Sequence, residues 1–389
     1  MMQRPGFPNV RVRLYEDYDA WLDSRYLDLS ATFYTMTIRD GLNGKNEGLL
    51  QIYDNKNLQM KLDGNEILMV SLGNSNDTES YSRLYGIKHS NATIDEKGDN
   101  IIIFQLGPIH KNNNIKFSRT FFPSAGETLE EMMNVLYKEM PLLKPRVTAQ
   151  NIHVPLTPWS LGFAEYMNFI RDYGLSIGSD QFVLAWEDFN GIQVIDWSQV
   201  TAQDPRNFAV GEPSIAGEFN DKTEVQLTWD WEWLTKHNAP MRYDFENSTL
   251  YTHSFLDKNC LRIITGTGAN SLMVSRSGGY AEQIYRNGYE EATRIHTMAN
   301  YDSYAKTVTN GDFTIRPGMK CNFWDPKSQI AVDYYVDEVI HEISMEKSLT
   351  HFYVFGNSTT LNPVDYAKVK NEIKSYTSNT DTETKPEGN

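Results

Sequence analysis

The sequence predicts an α+β chain in which antiparallel β-structure predominates, arranged as two similar small β-barrels with an α+β insert and a long helix. Three observations carry this reading. Short apolar segments of period two, separated by Gly, Asn and Asp turns, fill residues 10–109. Segments of the same kind return between residues 311 and 357, while the stretch between carries apolar residues at helical spacing.

Taken in order, the first block holds strands at 10–14, 31–38, 48–53, 66–72, 82–88 and 101–106. Val10, Val12 and Leu14 alternate with Arg11 and Arg13, which gives that strand one inward face. Asp63-Gly64 and Lys97-Gly98-Asp99 supply the turn chemistry of a meander. A capping box at Ser124-Ala125-Gly126-Glu127 then opens a helix carrying Leu129, Met132, Met133, Leu136, Tyr137 and Met140, which Pro141 ends. A second helix at 159–173 precedes a strand at 181–186. In the strand beginning near Glu224, Val225, Leu227, Trp229, Trp231 and Trp233 occupy every second position, so one face is almost pure tryptophan. A third helix, from Ser277 to about Tyr304, has Glu282–Arg286 and Glu290–Arg294 pairs beside an apolar stripe. Strands at 329–343 and 351–355 follow, and from Thr377 the chain is too polar to bury a core.

These elements divide the chain into a first β-barrel at 1–110, an α+β insert at 111–208 and the opening of a second barrel at 209–238. The α+β region with its long helix continues over 239–306, the second barrel is completed at 307–361, and a C-terminal segment occupies 362–389. The two β blocks share a pattern. Gly64 lies 25 positions before His89 and Gly318 lies 23 before His341, each histidine preceding a β-rich run. Two barrels of common plan would let three copies close into a ring displaying six.

Composition narrows the function. With 36 Lys+Arg against 51 Asp+Glu, the formal charge of −15 is opposite to what a phosphate-gripping protein needs. Cys260 and Cys321, 61 positions apart, form neither a disulfide scaffold nor a zinc site, which fits synthesis in a reducing compartment. Neither an apolar leader nor a membrane-spanning run is apparent, so membrane insertion is not expected.

No motif selects a catalytic centre. Gly174-Leu175-Ser176-Ile177-Gly178 has the spacing of a nucleophile elbow but lies after a helix and before a strand, the reverse of what that elbow requires. Gly266-Thr267-Gly268-Ala269-Asn270 follows a strand but leads into Ser271-Leu272-Met273-Val274, so it is read as a hairpin loop with no helix N-terminus for a phosphate. His341-Glu342 is a lone pair on a strand, and no metal or other cofactor is expected. The tryptophans Trp229, Trp231 and Trp233 are the residues singled out, as either a contact face or a barrel core.

The chain also resembles a known family, the central hub subunit of the baseplate of T-even-type contractile-tailed bacteriophages. The resemblance runs from Gln3-Arg4-Pro5-Gly6-Phe7-Pro8-Asn9 and Tyr18-Asp19-Ala20-Trp21 through Gly44-Lys45-Asn46-Glu47-Gly48 and Val210-Gly211-Glu212-Pro213-Ser214. It continues through His253-Ser254-Phe255-Leu256-Asp257, Tyr285-Arg286-Asn287-Gly288-Tyr289 and Tyr335-Val336-Asp337-Glu338-Val339 to Lys368-Val369-Lys370-Asn371-Glu372. It implies a non-enzymatic homotrimer whose paired barrels form a pseudo-sixfold torus in the virion tail. The torus would sit on a trimeric cell-puncturing spike with a lysozyme domain, meet tail-tube initiator and tape-measure proteins, and let DNA pass without specific binding. The alternative from another class is a glycan-active β protein, hydrolase or binding module, in which the tryptophans stack sugars and a carboxylate pair cuts them.

Overall fold

The structure, a computed structural model, describes residues 8–42, 44–55, 57–74, 81–109, 145–147, 183–211, 226–234, 248–253, 261–265, 270–274, 301, 303–325 and 330–361. The first half contributes β1 (Pro8–Tyr15), the short helix α1 (Tyr18–Leu22), β2 (Leu27–Asp28), β3 (Phe33–Gly41), β4 (Asn46–Tyr53), β5 (Ile67–Asn74), β6 (Tyr81–Ile94) and β7 (Asn100–Pro108). Helix α1 starts where it does because the Asp17 carboxylate accepts a hydrogen bond from the Ala20 amide at 2.7 Å. The turn between β6 and β7 closes on Gly98, whose φ of +87° only glycine adopts cheaply, with Asp95 accepting from the Lys97 and Asp99 amides.

The strands lie where the alternation places them, but they are not joined as a meander. Their order is β3-β4-β7-β6-β5-β1-β2, so β4 pairs with β7 rather than with the next strand in sequence. All curve around one core: Val12 and Leu14 meet Met36, Ile38, Leu50, Leu68, Val70, Tyr85 and Phe104.

Between the halves lie β8 (Pro145–Val147), the hairpin of β9 (Val183–Asp188) and β10 (Gly191–Asp196), and helix α2 (Trp197–Thr201). The second half then contributes β11 (Arg206–Val210) and β12 (Gln226–Trp233). A separate three-stranded sheet follows, made of β13 (Ser248–His253), β14 (Leu261–Thr265) and β15 (Asn270–Val274). The chain continues through β16 (Ser303–Asn310), β17 (Lys320–Asp325), β18 (Ile330–Ser344) and β19 (Ser348–Leu361). Here the order β12-β16-β19-β18-β17-β11 closes on itself, because β11 pairs with both β17 and β12. The result is a six-stranded barrel filled by Phe208, Phe323, Tyr334, Val336, Phe352 and Val354.

Both halves repeat one order of neighbours. Across the sheet β3, β4, β7, β6, β5 and β1 correspond to β12, β16, β19, β18, β17 and β11, each matched to the strand at the same place along its half of the chain. Two differences stand: β1 runs antiparallel to β5, whereas β11 runs parallel to both of its neighbours, and among the described residues no ladder closes β1 on β3 as β11 closes on β12. The histidines read as equivalent differ in setting, for His341 is buried and His89 is exposed.

Two expectations change. Ser303 and Tyr304, assigned to the end of the long helix, begin strand β16, because Ser303–Asn310 forms an unbroken ladder with β19. Tyr301, also assigned to that helix, is not helical; the remainder of it, the helices expected at 127–140 and 159–173, the Gly174–Gly178 turn and the polar tail lie outside the described residues. The strands flanking 266–269 do not form a hairpin, since β13 lies between β14 and β15 and pairs with both.

Candidate functional site

The tryptophan strand is split by a bulge. Asp230 adopts φ +51°, and the ladder to β16 slips between Trp229, opposite Val308, and Glu232, opposite Lys306. The extra residue inverts the alternation. Trp233 lies opposite Ala305 on the core side, while Trp229 lies with Val308 on the other face, so the single tryptophan face read from the sequence is not formed. Trp229 is 7% exposed. Trp231 is half-buried against the barrel core, 4.9 Å from the Phe323 ring and 5.7 Å from Tyr334. Trp233, stacked edge-on to Trp231 at 5.2 Å, is 60% exposed at the strand's end.

The two halves join through β18, which changes neighbours along its length. Ile330–Tyr335 closes the barrel against β17, whereas Glu338–Ser344 leaves it to pair with Thr35–Gly41 of β3. Ile343 thereby enters the core of the first half beside Met36 and Ile38. On the outer side Glu338 receives ion pairs from Arg39 and, at 2.8 Å, from Lys45. The single Glu338 carboxylate therefore offsets only one of these two positive charges.

A buried charge cluster reinforces the joint. Arg83, on an inward position of β6 next to Tyr85, pairs with Asp40 of β3 at 2.8 Å and lies 3.4 Å from the Glu187 carboxylate of β9. It also donates to the Glu187 carbonyl at 3.1 Å and lies over the Phe189 ring at 5.8 Å. Asp188 accepts from the Trp186 indole at 3.0 Å. Burial pushes the Asp40 carboxyl up to about 6 despite Arg83, and raises Glu187 and Asp188 as well, because one guanidinium cannot compensate three desolvated carboxylates. Burial works against the Arg83 charge, yet Asp40, Tyr85 and Glu187 outweigh it and hold the guanidinium protonated. Sequence reasoning passed over this cluster, although its signal was present: Arg83 and Asp40 occupy positions whose neighbours at period two are core residues.

The remaining candidates show no assembled chemistry. His341 is buried, accepts or donates one hydrogen bond with Thr350 at 3.0 Å, and faces the Phe313 and Phe189 rings. Cys321 is a buried free thiol. A cleft of about 330 Å³ over β3, β4, β7 and β6 is lined by Arg39, Glu47, Lys88 and Gln105 among others. It offers one carboxylate where glycoside hydrolysis uses two. Among the described residues no group of three or more His, Cys, Asp or Glu side chains could hold a metal, and no helix is long and apolar enough to cross a membrane.

Comparison with known proteins agrees with a structural role. The tail protein of Neisseria meningitidis MC58 superposes with a TM-score of 0.54 at 11% identity, covering 90% of this chain and 96% of its own. The 43 kDa tail protein of prophage MuSo2 from Shewanella oneidensis gives 0.55 at 10% identity, covering 91% and 100%. At such identities the likeness establishes the fold alone. No curated protein matches in sequence. Family models described as baseplate structural protein, domain 1 and domain 2, match residues 3–197 and 200–372, so the chain belongs to the phage-tail baseplate structural proteins.

Proposed function

We propose that this baseplate protein is the central hub of a contractile tail, of the T-even type: a homotrimer whose two β modules per chain form a pseudo-sixfold ring. The ring would adapt a threefold cell-puncturing spike to the sixfold tube, contact the tube-initiator and tape-measure proteins, and leave a lumen for DNA during ejection. The observation that carries this reading is the repeated strand order, β3-β4-β7-β6-β5-β1 answered by β12-β16-β19-β18-β17-β11. A chain holding two like modules side by side has the geometry by which threefold repetition presents six. The β18–β3 pairing supports it further, since it joins the modules edge to edge in one continuous sheet. The net charge of −15 suits a passage through which a polyanion slides without sticking.

Light scattering after size exclusion tests this directly. The expected mass is that of three 44.7 kDa chains, with an open centre in electron micrographs. A monomer that persists at high concentration, with and without the spike, would refute it.

A further inference from the structure

The geometry points to a specific seam between copies: the edge of β6 that is open among the described residues of one copy pairs antiparallel with the corresponding open edge of β12 in the next, Ala92 opposite Trp233 and Ile94 opposite Trp231. This inference rests on the ring reading above and adds its contact.

The template is the joint inside the chain. There β18, a 15-residue strand, runs on past its own barrel and lays Glu338–Ser344 against β3, with His341 opposite Ile38 and Ile343 opposite Met36. Strand β6 holds the same place in the first module and is one residue shorter, at 14 residues. Its first part pairs with β5, as β18 pairs with β17, but Lys88–Ile94 has a ladder on one side only among the described residues. Strand β12, equivalent to β3, pairs with β16 at Trp229, Glu232 and Trp233, while on its other side, among the described residues, β11 covers only Gln226–Thr228.

Two matching bulges fix the register. The β6–β7 ladder slips at Lys88, between Ile87 opposite Leu106 and His89 opposite Gln105. The β18–β19 ladder slips at Asp337, between Val336 opposite Val354 and Glu338 opposite Tyr353. Superposing these slips sets Ala92 on His341, Ile94 on Ile343 and Phe104 on Phe352. Following the rows across each sheet, Ile38 reaches Leu106 through Gly48, and Trp233 reaches Val354 through Ala305. Trp233 therefore stands where Ile38 stands.

Burial supplies the independent argument. At the inner joint Ile343 and Ile38 are 2% and 0% exposed, whereas their counterparts Ile94 and Trp233 are 66% and 60% exposed. Large apolar side chains at the ends of two open strand edges are what a protein avoids unless the edges are covered. Pairing them drops Ile94 beside Trp231, which already rests on the barrel core, just as Ile343 enters the first core. Both open edges belong to every copy and are complementary, so the occupant is a second copy of this chain, joined head to tail.

Cysteine pairing tests the register. Residues opposed across antiparallel strands have Cα atoms roughly 4.5–5.5 Å apart, within disulfide range. A chain carrying Ala92→Cys and Trp233→Cys should oxidise to covalent dimers and closed trimers, whereas Thr93→Cys with Trp233→Cys points the two thiols to opposite faces and should not. In parallel, Ile94→Asp should leave the thermal midpoint of the isolated chain unchanged, since the side chain is exposed there, and convert trimers to monomers. If the native chain is trimeric but the Ala92→Cys, Trp233→Cys variant forms no link between copies, or the Ile94→Asp variant stays trimeric, the seam is overturned and the ring is left standing. A native chain that stays monomeric overturns both.

Discussion

Replacing Arg83 by Leu removes the guanidinium buried between Asp40 and Glu187 while keeping the bulk that packs on Tyr85 and Phe189. Removing one partner of a buried ion pair costs about 3–5 kcal/mol, a large share of the roughly 5–15 kcal/mol that holds a domain folded. The penalty must depend on pH. Burial already raises the Asp40 carboxyl to about 6, and losing Arg83 raises it further. Because its folded value lies above the ordinary 3.8, the folded state binds the proton more tightly, so its contribution is complete at low pH and is lost as pH rises through the folded value. Urea unfolding followed by tryptophan fluorescence, near neutral pH and at about pH 5, measures this linkage. The variant should lose about 3–5 kcal/mol near neutrality and clearly less in acid, and Arg83→Leu with Asp40→Asn should recover part of the neutral loss. An equal loss at both pH values, or a double variant no better than the single one, would refute the argument that desolvated carboxylates set the cost.

His341 and Asp40 oppose each other in acid. Burial pushes His341 down to about 4, so its contribution is present above its ordinary 6.5 and is lost as pH falls toward 4, while that of Asp40 is lost as pH rises toward 6. His341→Gln should therefore make stability fall from pH 4 to pH 6 and Asp40→Asn should make it rise, relative to the native chain; urea midpoints across that range read the slopes, and unchanged slopes refute the assignment. Gly356→Ala should destabilise by about 1–3 kcal/mol, since its methyl would lie 2.5 Å from the Asp333 carbonyl oxygen and 2.7 Å from the Tyr334 ring. Gly107→Ala should cost less, because its methyl meets the mobile end of Lys88; thermal midpoints compare the two, and equal losses would be inconsistent with the difference in neighbours.

The sequence by itself determined where most strands lie in the first half and at the C-terminal end, because a strand with one buried face must alternate and its turns need particular residues. Val10, Val12 and Leu14 mark β1, and Lys97-Gly98-Asp99 marks the turn into β7. Strands β10, β11 and β13 passed unread and β16 was partly taken for helix, since short segments show too few residues for a period to emerge. Order among strands was equally hidden. Pairing β4 with β7, closing the barrel through β11 and passing β18 from β17 to β3 are long-range matters that no local pattern encodes. The tryptophans show the limit most clearly: their spacing implied one face, but a single left-handed residue, Asp230, divides Trp229 from Trp231 and Trp233. Backbone conformation at one position decides the facing of every residue beyond it, and only the tertiary ladder fixes that conformation.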